Sequence, residues 1–337
     1  MHVLAVRQDN NGDVLLVGPA LRALAARARV TLICSPHGEG AARLLPGVDR
    51  VIVASAAWID ANPRPIDRDA VLDYVARVRA LGADEAFVFT SFHQSPLPAA
   101  LLLRMAGVPR VHAICEDYAG SLLDTRLRLE GERHESQRAL SLVGAAGFLL
   151  PGGDDGALRI KPPGTSPVEG SYVAVQPGAT VPARAWSSLR YRELVQELCA
   201  RGVRVVVLGS ADETEVARFV TGESDAQNLA GQTTFAEFAA TIAEAQALVV
   251  GNSSGIHLAS AVGTPVVTVF PPTILPQRFA PWRVAHVMLG DHAISCAGCR
   301  ARLCPIPGQP CIGKVTAGDV LAALQRLGVQ LPERAAA

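Results

Sequence analysis

The stretch VRQDNNGDVLLVGPALRAL (Val6–Leu24) runs from an apolar segment into Asn10-Asn11-Gly12-Asp13 and then directly into a helical pattern. The residues HVLAVR (2–7) are apolar at successive rather than alternating positions, which reads as a strand covered on both faces and hence a parallel sheet. A strand handed to a helix through a short polar corner is the repeating step of a doubly wound α/β sheet. The corner itself is the informative part. Gly12 is expected to let the backbone turn sharply and keep the space above it open, with Asp13 in the first helical turn. That aspartate has two readings. It is a helix-start acid worth about 0.5–2 kcal/mol, or a general base, a role that suits a carboxylate on a rigid element beside a ligand.

The same step recurs along the chain. Strand-like runs lie at 2–7, 29–35, 50–55, 85–91 and 110–115, with helical patterns at 14–27, 67–81 and 96–106. The segment PGGDDGALRIKPPGTSPVEG (151–170) is dense in glycine and proline and has neither period, as expected of a linker. Strands then return at 172–178, 203–210, 246–254 and 264–270, separated by helical patterns at 187–201, 212–221, 234–244 and 255–262. The expectation is two Rossmann-like parallel-sheet domains facing a central cleft: 1–155, a linker at 156–170, a second domain at 171–315 and a terminal helix within 316–330.

A chain of 337 residues exceeds the usual single core, which agrees with two domains. Its 31 basic and 31 acidic residues cancel, so no broad field recruits nucleic acid or an acidic membrane. Any anion must be held by a local cluster. The start MHVLAVRQDN lacks the basic region of a secretory leader, and no apolar run approaches about 18 residues. A cytoplasmic protein without a transmembrane segment is expected, for which peripheral membrane contact is still open. Lys161 and Lys314 are the only lysines among the basic residues, which reads as GC-rich codon usage and carries no chemistry.

In open parallel sheets ligands bind beyond the carboxyl ends of the strands. The candidate corners are Asn11-Gly12, Pro177-Gly178, Gly209-Ser210 and Asn252-Ser253-Ser254-Gly255. No GxGxxG follows the first strand and no GxxxxGK[ST] occurs, which excludes the usual dinucleotide and P-loop sites. At 252–255 hydroxyls and free N–H groups open a helix, where dipole and donors both point at an anion. His257 lies in its first turn. A capped helix with a packed histidine explains the same residues. The loop QPGATVPARAW (176–186) offers Thr180 and Arg184, or is an ordinary loop anchored by Trp186.

Cys34, Cys115 and Cys199 are scattered and read as buried apolar fillers. By contrast, CAGCRARLCPIPGQPC places Cys296, Cys299, Cys304 and Cys311 within sixteen residues. These could hold a structural zinc ion, or remain thiols or reversible disulfides.

Taken together, these segments resemble glycosyltransferase family 9, the heptosyltransferase-type enzymes of the GT-B fold. The resemblance rests on RQDNNGDVLLVGPALRAL, QPGATVPARAW, NLAGQTTFAEFAATIAEAQALVVGNSSGIHLASAVGTPVVTVF and the cysteine segment, in that order. It implies inverting transfer from a nucleotide-diphosphate sugar, commonly ADP-heptose, to a saccharide or glycoside acceptor, without a catalytic metal or other cofactor. It makes Asp13 the base, places Arg7 and Gly12 on the acceptor side, and assigns Thr180, Arg184, Ser253, Ser254, Gly255 and His257 to the donor.

Two departures stand out. The family corner reads Asp-(Ser/Thr)-Gly-x-x-His, whereas Ser253 replaces the aspartate and only Ile256 separates Gly255 from His257, a change of about 100° around a helix. Arg184 stands where many members carry lysine, keeping the charge and adding a fork of donors. Three rival readings follow: a transferase of specialised metabolism with another acceptor or donor, a non-catalytic sugar-nucleotide binder, and a zinc-stabilised nucleic-acid binder. The mixed acids and arginines at 116–138, including Arg126, Arg128, Arg133 and Arg138, suit a polar acceptor. Neutral charge and the lack of aromatics clustered with basic residues disfavour the nucleic-acid reading.

Overall fold

The computed structural model describes residues 1–60 and 62–333. Its backbone divides into two compact units, Met1–Lys161 and Pro162–Ala337.

In the first unit the strands are β1 (His2–Arg7), β2 (Arg29–Cys34), β3 (Arg50–Val53), β4 (Glu85–Val88), β5 (Arg110–Ile114) and β6 (Thr125–Leu127). They form one parallel sheet in the order β3-β2-β1-β4-β5-β6. Its helices are α1 (Asn11–Leu16), α2 (Gly18–Ala25), α3 (Glu39–Leu44), α4 (Arg68–Arg79), α5 (Leu97–Met105) and α6 (Glu135–Ala145). Leu4, Val6, Ile33, Val88 and Val111 lie in the core beneath α4 and α5. Full burial of such side chains contributes about 1.5–3 kcal/mol each.

The single helical pattern over 14–27 is two helices, joined at Val17. Pro19, near the start of α2, has no N–H with which to continue the α1 ladder. Asn10, in extended conformation, makes the turn from β1, and Gly12 is an internal, buried residue of α1. The expected sharp turn at Gly12 is therefore corrected to Asn10.

The second unit repeats the arrangement. Its strands are β7 (Val173–Gln176), β8 (Val205–Val207), β9 (Gln227–Asn228), β10 (Ala247–Val250), β11 (Val266–Val269) and β12 (His286–Leu289). The order is β12-β11-β10-β7-β8-β9, again wholly parallel. Its helices are α7 (Ser188–Ala200), α8 (Thr214–Thr221), α9 (Phe235–Glu244), α10 (Gly255–Val262), α11 (Pro276–Phe279) and α12 (Ala317–Arg326). Thr234 with Glu237 and Thr316 with Asp319 form reciprocal caps that start α9 and α12. Gly263, at φ +83°, closes α10 in the left-handed conformation that a side chain would strain.

Both sheets thus carry the doubly wound order, with the direction of winding reversing between β1 and β4 in one and between β7 and β10 in the other. Residues 154–161 are held by a side chain and a backbone carbonyl of the first unit. Arg22 grips Asp154 with Nε at 2.6 Å and Nη2 at 2.9 Å, and the Lys161 N–H donates to the Leu44 carbonyl at 2.7 Å.

Candidate active site

At the reversal point of the first sheet, β1 ends on Arg7 and the chain beyond β4 brings in Ser91 and Gln94. Arg7 is 2% exposed, yet its guanidinium lies between two carboxylates: Nε is 3.0 Å from Asp9 Oδ2 and Nη2 is 2.8 Å from Asp13 Oδ1. Nη2 also donates to Ser91 Oγ at 2.9 Å, and Gln94 Nε2 donates to Asp9 Oδ1 at 2.6 Å. Burial disfavours the charge on Arg7, but Asp9, Asp13 and Glu135 outweigh it and hold its pKa above the ordinary arginine value. Burial pushes the Asp9 carboxyl up against the pull of Arg7, and the Asp13 charge adds to the rise. Asp13 is the accessible member, with 23% of its side chain exposed.

α1 begins without a side-chain cap from Asn10, and Asp13 lies in its first turn. Its carboxylate is taken up by Arg7 and Ser91. The network to Arg7 is absent from the sequence reading because Ser91 and Gln94 lie 84 and 87 residues away along the chain. Of the arginines at 116–138, Arg126 and Arg128 donate to the Glu116 carbonyl, and Arg138 is buried beside Glu135. Arg133 lines an open hollow with Gln137, Leu140 and Ser141.

In the second unit the same topological position is occupied by the ends of β7 and β10. Ser253 Oγ donates to Gln176 Oε1 at 3.3 Å. The end of the Gln176 side chain lies so close over Gly255 that it would have to shift to admit a Cβ there. No side chain caps α10; the Ile256 and His257 N–H groups donate to the Ser253 and Ser254 carbonyls at 3.2 and 3.1 Å, which leaves the N–H groups of Ser254 and Gly255 at its start. Two buried polar nitrogens at this corner, Asn252 Nδ2 and His257 Nδ1, have no hydrogen-bond partner among the described residues. Burial holds the His257 imidazole down at about 4, which keeps it neutral near pH 7. Its ring lies 6.1 Å from that of Phe279.

The turn Pro182–Arg184 reaches the same corner. The Arg184 carbonyl stands about where a Cβ on Gly251 would be crowded, at 3.2 Å. Arg184 is partly exposed and Thr180 exposed. The structure therefore brings Arg184 to the 251–255 segment, while Thr180 precedes the turn. Glu213, which the sequence did not single out, folds over Gly178 and accepts from the Ser210 N–H at 2.8 Å. Its signal was the Ser210–Glu213 capping spacing after the Gly209-Ser210 corner.

Cys34 and Cys115 are buried fillers, and burial pushes the Cys34 thiol up to about 11. Cys199, only partly buried, packs at the edge of the second core. Cys296, Cys299, Cys304 and Cys311 are free thiols that share one apolar pocket with Ala183 and Thr273. Among the described residues, no three His, Cys, Asp or Glu side chains are grouped to hold a metal ion. Of the two readings of these cysteines, zinc ligands or thiols, the zinc site is therefore unsupported. No helix among the described residues is long and apolar enough to cross a membrane.

Comparison with known proteins agrees with this architecture. Residues 92–309 match the family model Glycosyltransferase family 9 (heptosyltransferase). Lipopolysaccharide heptosyltransferase 2 of Salmonella typhimurium is 31% identical over 128 residues, 35% of this chain and 37% of that protein. The match thus spans little more than a third of that relative. Lipopolysaccharide heptosyltransferase 1 of Pseudomonas aeruginosa is 28% identical over 318 residues, 90% of this chain and 87% of that protein. The structure of E. coli ADP-heptose lps heptosyltransferase II superposes with a TM-score of 0.76 at 20% identity, covering 97% and 98% of the two chains, and shares the two-domain GT-B fold. The matched segment covers more than half of the chain and contains the whole of the second parallel sheet, so the chain belongs to glycosyltransferase family 9.

Proposed function

We propose that this protein is an inverting glycosyltransferase that moves a heptose from ADP-heptose to a hydroxyl of a polar saccharide acceptor of the lipopolysaccharide type. The observation that carries the donor half is the uncapped start of α10, flanked by the unpartnered nitrogens of Asn252 and His257. A buried donor such as Asn252 Nδ2 left unsatisfied costs about 1–3 kcal/mol, a cost that a bound anion removes. A diphosphate supplies such acceptors, and the heptosyltransferase relatives narrow the sugar.

In this reading Ser253 and Ser254 offer hydroxyls, and Ser254 and Gly255 backbone N–H groups, to the diphosphate, with Thr180, Arg184 and His257 around it. Negative charge grows on the leaving diphosphate as the glycosidic bond breaks, so a fixed cation and helix dipole lower the barrier most in the transition state. Asp13 accepts the proton of the incoming hydroxyl, which attacks the anomeric carbon from the face opposite the leaving group. Inversion follows. Gly12, next to Asp13 in the first turn of α1, stands on the acceptor side in this reading. The charge work falls to protein groups, and the reading requires no cofactor.

Ser253 in place of the family aspartate and the shortened spacing to His257 favour a second reading, the same chemistry with a different nucleotide, sugar or acceptor. Thermal unfolding with ADP, UDP, GDP and their diphosphate sugars separates the two. A ligand at a hundred times its Kd adds about 2.7 kcal/mol of stability. Stabilisation by ADP and ADP-heptose, followed by ADP release in the presence of heptose-free lipopolysaccharide, supports the first reading. A preference for another nucleotide supports the second, and binding without transfer to any acceptor identifies a non-catalytic binder.

A further inference from the structure

The pairing of Asp13 with Arg7 poses a chemical question, because a base held by a guanidinium loses basicity. The arrangement around Arg7 answers it. Every bond found for the Asp13 carboxylate falls on Oδ1, which takes Arg7 Nη2 at 2.8 Å and Ser91 Oγ at 3.5 Å. Oδ2 is left without a partner among the described residues, on a side chain that is 23% exposed. Arg7 itself is 2% exposed and is not shared with Asp13 alone. Its Nε faces Asp9 at 3.0 Å, and Asp9 is only 10% exposed. Asp9 is in turn fixed by Gln94, whose Oε1 accepts from the Ser91 N–H at 2.8 Å. One short loop therefore anchors both the hydroxyl against Asp13 and the amide against Asp9.

Resting on the reading of Asp13 as the base, we propose that Arg7 is a positioning residue that pins one Asp13 oxygen and aims the other at the acceptor hydroxyl, while Asp9 offsets the guanidinium charge. Two carboxylates on one buried cation leave a net negative group rather than a neutral pair. The charged and titratable groups facing this triad are Glu135 and Arg138 from α6 and His93 from the loop after β4. Glu135 and Arg138 pair with each other at 3.3 Å, which makes them a nearly neutral background. The triad lies where β1 and β4 part, a position set by the sheet order rather than by any local motif.

Asp9→Asn, isosteric with the native residue, and Arg7→Lys, which retains charge but cannot fork onto two carboxylates, test the proposal. In Asp9→Asn the acid limb of the kcat/KM profile moves down by about one pH unit and the plateau falls about three- to tenfold, with donor KM unchanged. In Arg7→Lys kcat falls about 10- to 100-fold at constant donor and acceptor KM, because misplacement rather than binding is lost. An Asp9→Asn profile that superposes on the native one overturns the proposal. So does a loss in Arg7→Lys that resides in acceptor KM, which would make Arg7 an acceptor contact.

Carboxylate NMR titration of Asp13 in native protein and Asp9→Asn gives a readout independent of turnover and of melting temperature. A midpoint that falls by about one unit supports the coupling, and one that does not move overturns it, whatever the enzyme transfers. Failure of the transferase reading looks different: native protein that releases no ADP from ADP-heptose with heptose-free lipopolysaccharide, while the carboxylates remain coupled.

Discussion

Gln309 donates its side-chain amide to the Ala183 carbonyl at 2.7 Å, so the loop carrying the four cysteines is tied to the turn that carries Arg184. The Ala183 N–H donates to the Arg302 carbonyl at 3.0 Å, which makes the attachment two-sided. Trp186 Nε1 adds a bond to the Val315 carbonyl at 3.2 Å. The cysteine loop thereby buttresses a candidate donor-binding element from behind. Gln309→Ala removes one of these bonds, a net loss of about 1 kcal/mol. The expected outcome is a three- to tenfold rise in donor KM with kcat within twofold, measured by steady-state ADP release. An unaltered donor KM would show that the turn holds its shape without the loop.

Asp13→Asn keeps the shape of the side chain and removes its capacity to accept a proton. Turnover should fall about 10²- to 10⁴-fold, or roughly 3–5 kcal/mol, with donor affinity nearly unchanged. Calorimetric titration with ADP beside the kinetic assay checks both halves of the statement. Full activity in this variant would remove Asp13 from the mechanism.

Arg184→Ala should act on both constants. A cation beside the diphosphate attracts it in the ground state and more strongly once the bond is breaking. Donor KM should rise and kcat fall, each by about tenfold. Unchanged ADP binding in the variant would count against placing Arg184 on the diphosphate.

His257 makes stability depend on pH in a defined direction. Its folded pKa, held at about 4 by burial, lies below the unfolded value of about 6.5. Above pH 6.5 both states are neutral at this residue and it adds no pH dependence. As pH falls from about 6.5 to 4 the unfolded chain binds a proton that the folded chain does not, and stability declines by roughly 3 kcal/mol. Urea unfolding at pH 7.5, 6 and 5 should show this decline in the native protein and a shallower one in His257→Gln. Equal slopes would place the acid sensitivity elsewhere. If the diphosphate reaches the ring, ADP binding at pH 6 should also take up protons, detected as a buffer-dependent binding enthalpy.

Much of this fold is legible in the residues alone. Runs such as HVLAVR and ALVV are short, valine-rich and apolar at successive positions, which marks them as interior parallel strands, and the caps at Thr234 and Thr316 mark where helices begin. The corners at Asp13 and at 252–255 were visible for the same reason, since small polar residues between a strand and a helix form a local pattern. The edge strands β6, β9 and β12 were not visible: Thr125–Leu127 and Gln227–Asn228 are too short, and His286–Leu289 holds only three apolar residues, each half-buried. They exist because a neighbouring strand offers unpaired backbone groups, a condition that arises only once the sheet has formed.

The candidate site divides along the same line. Chain chemistry determined that a carboxylate follows the first strand and that hydroxyls and glycine open α10. Tertiary structure alone decided that Arg7 would be buried between Asp9 and Asp13 and that Ser91 would reach that pair. It also decided that four closely spaced cysteines would line a pocket without being grouped to hold a metal. Spacing along the chain limits which side chains can meet, but packing and the exclusion of water determine which of them do and what charge each one carries.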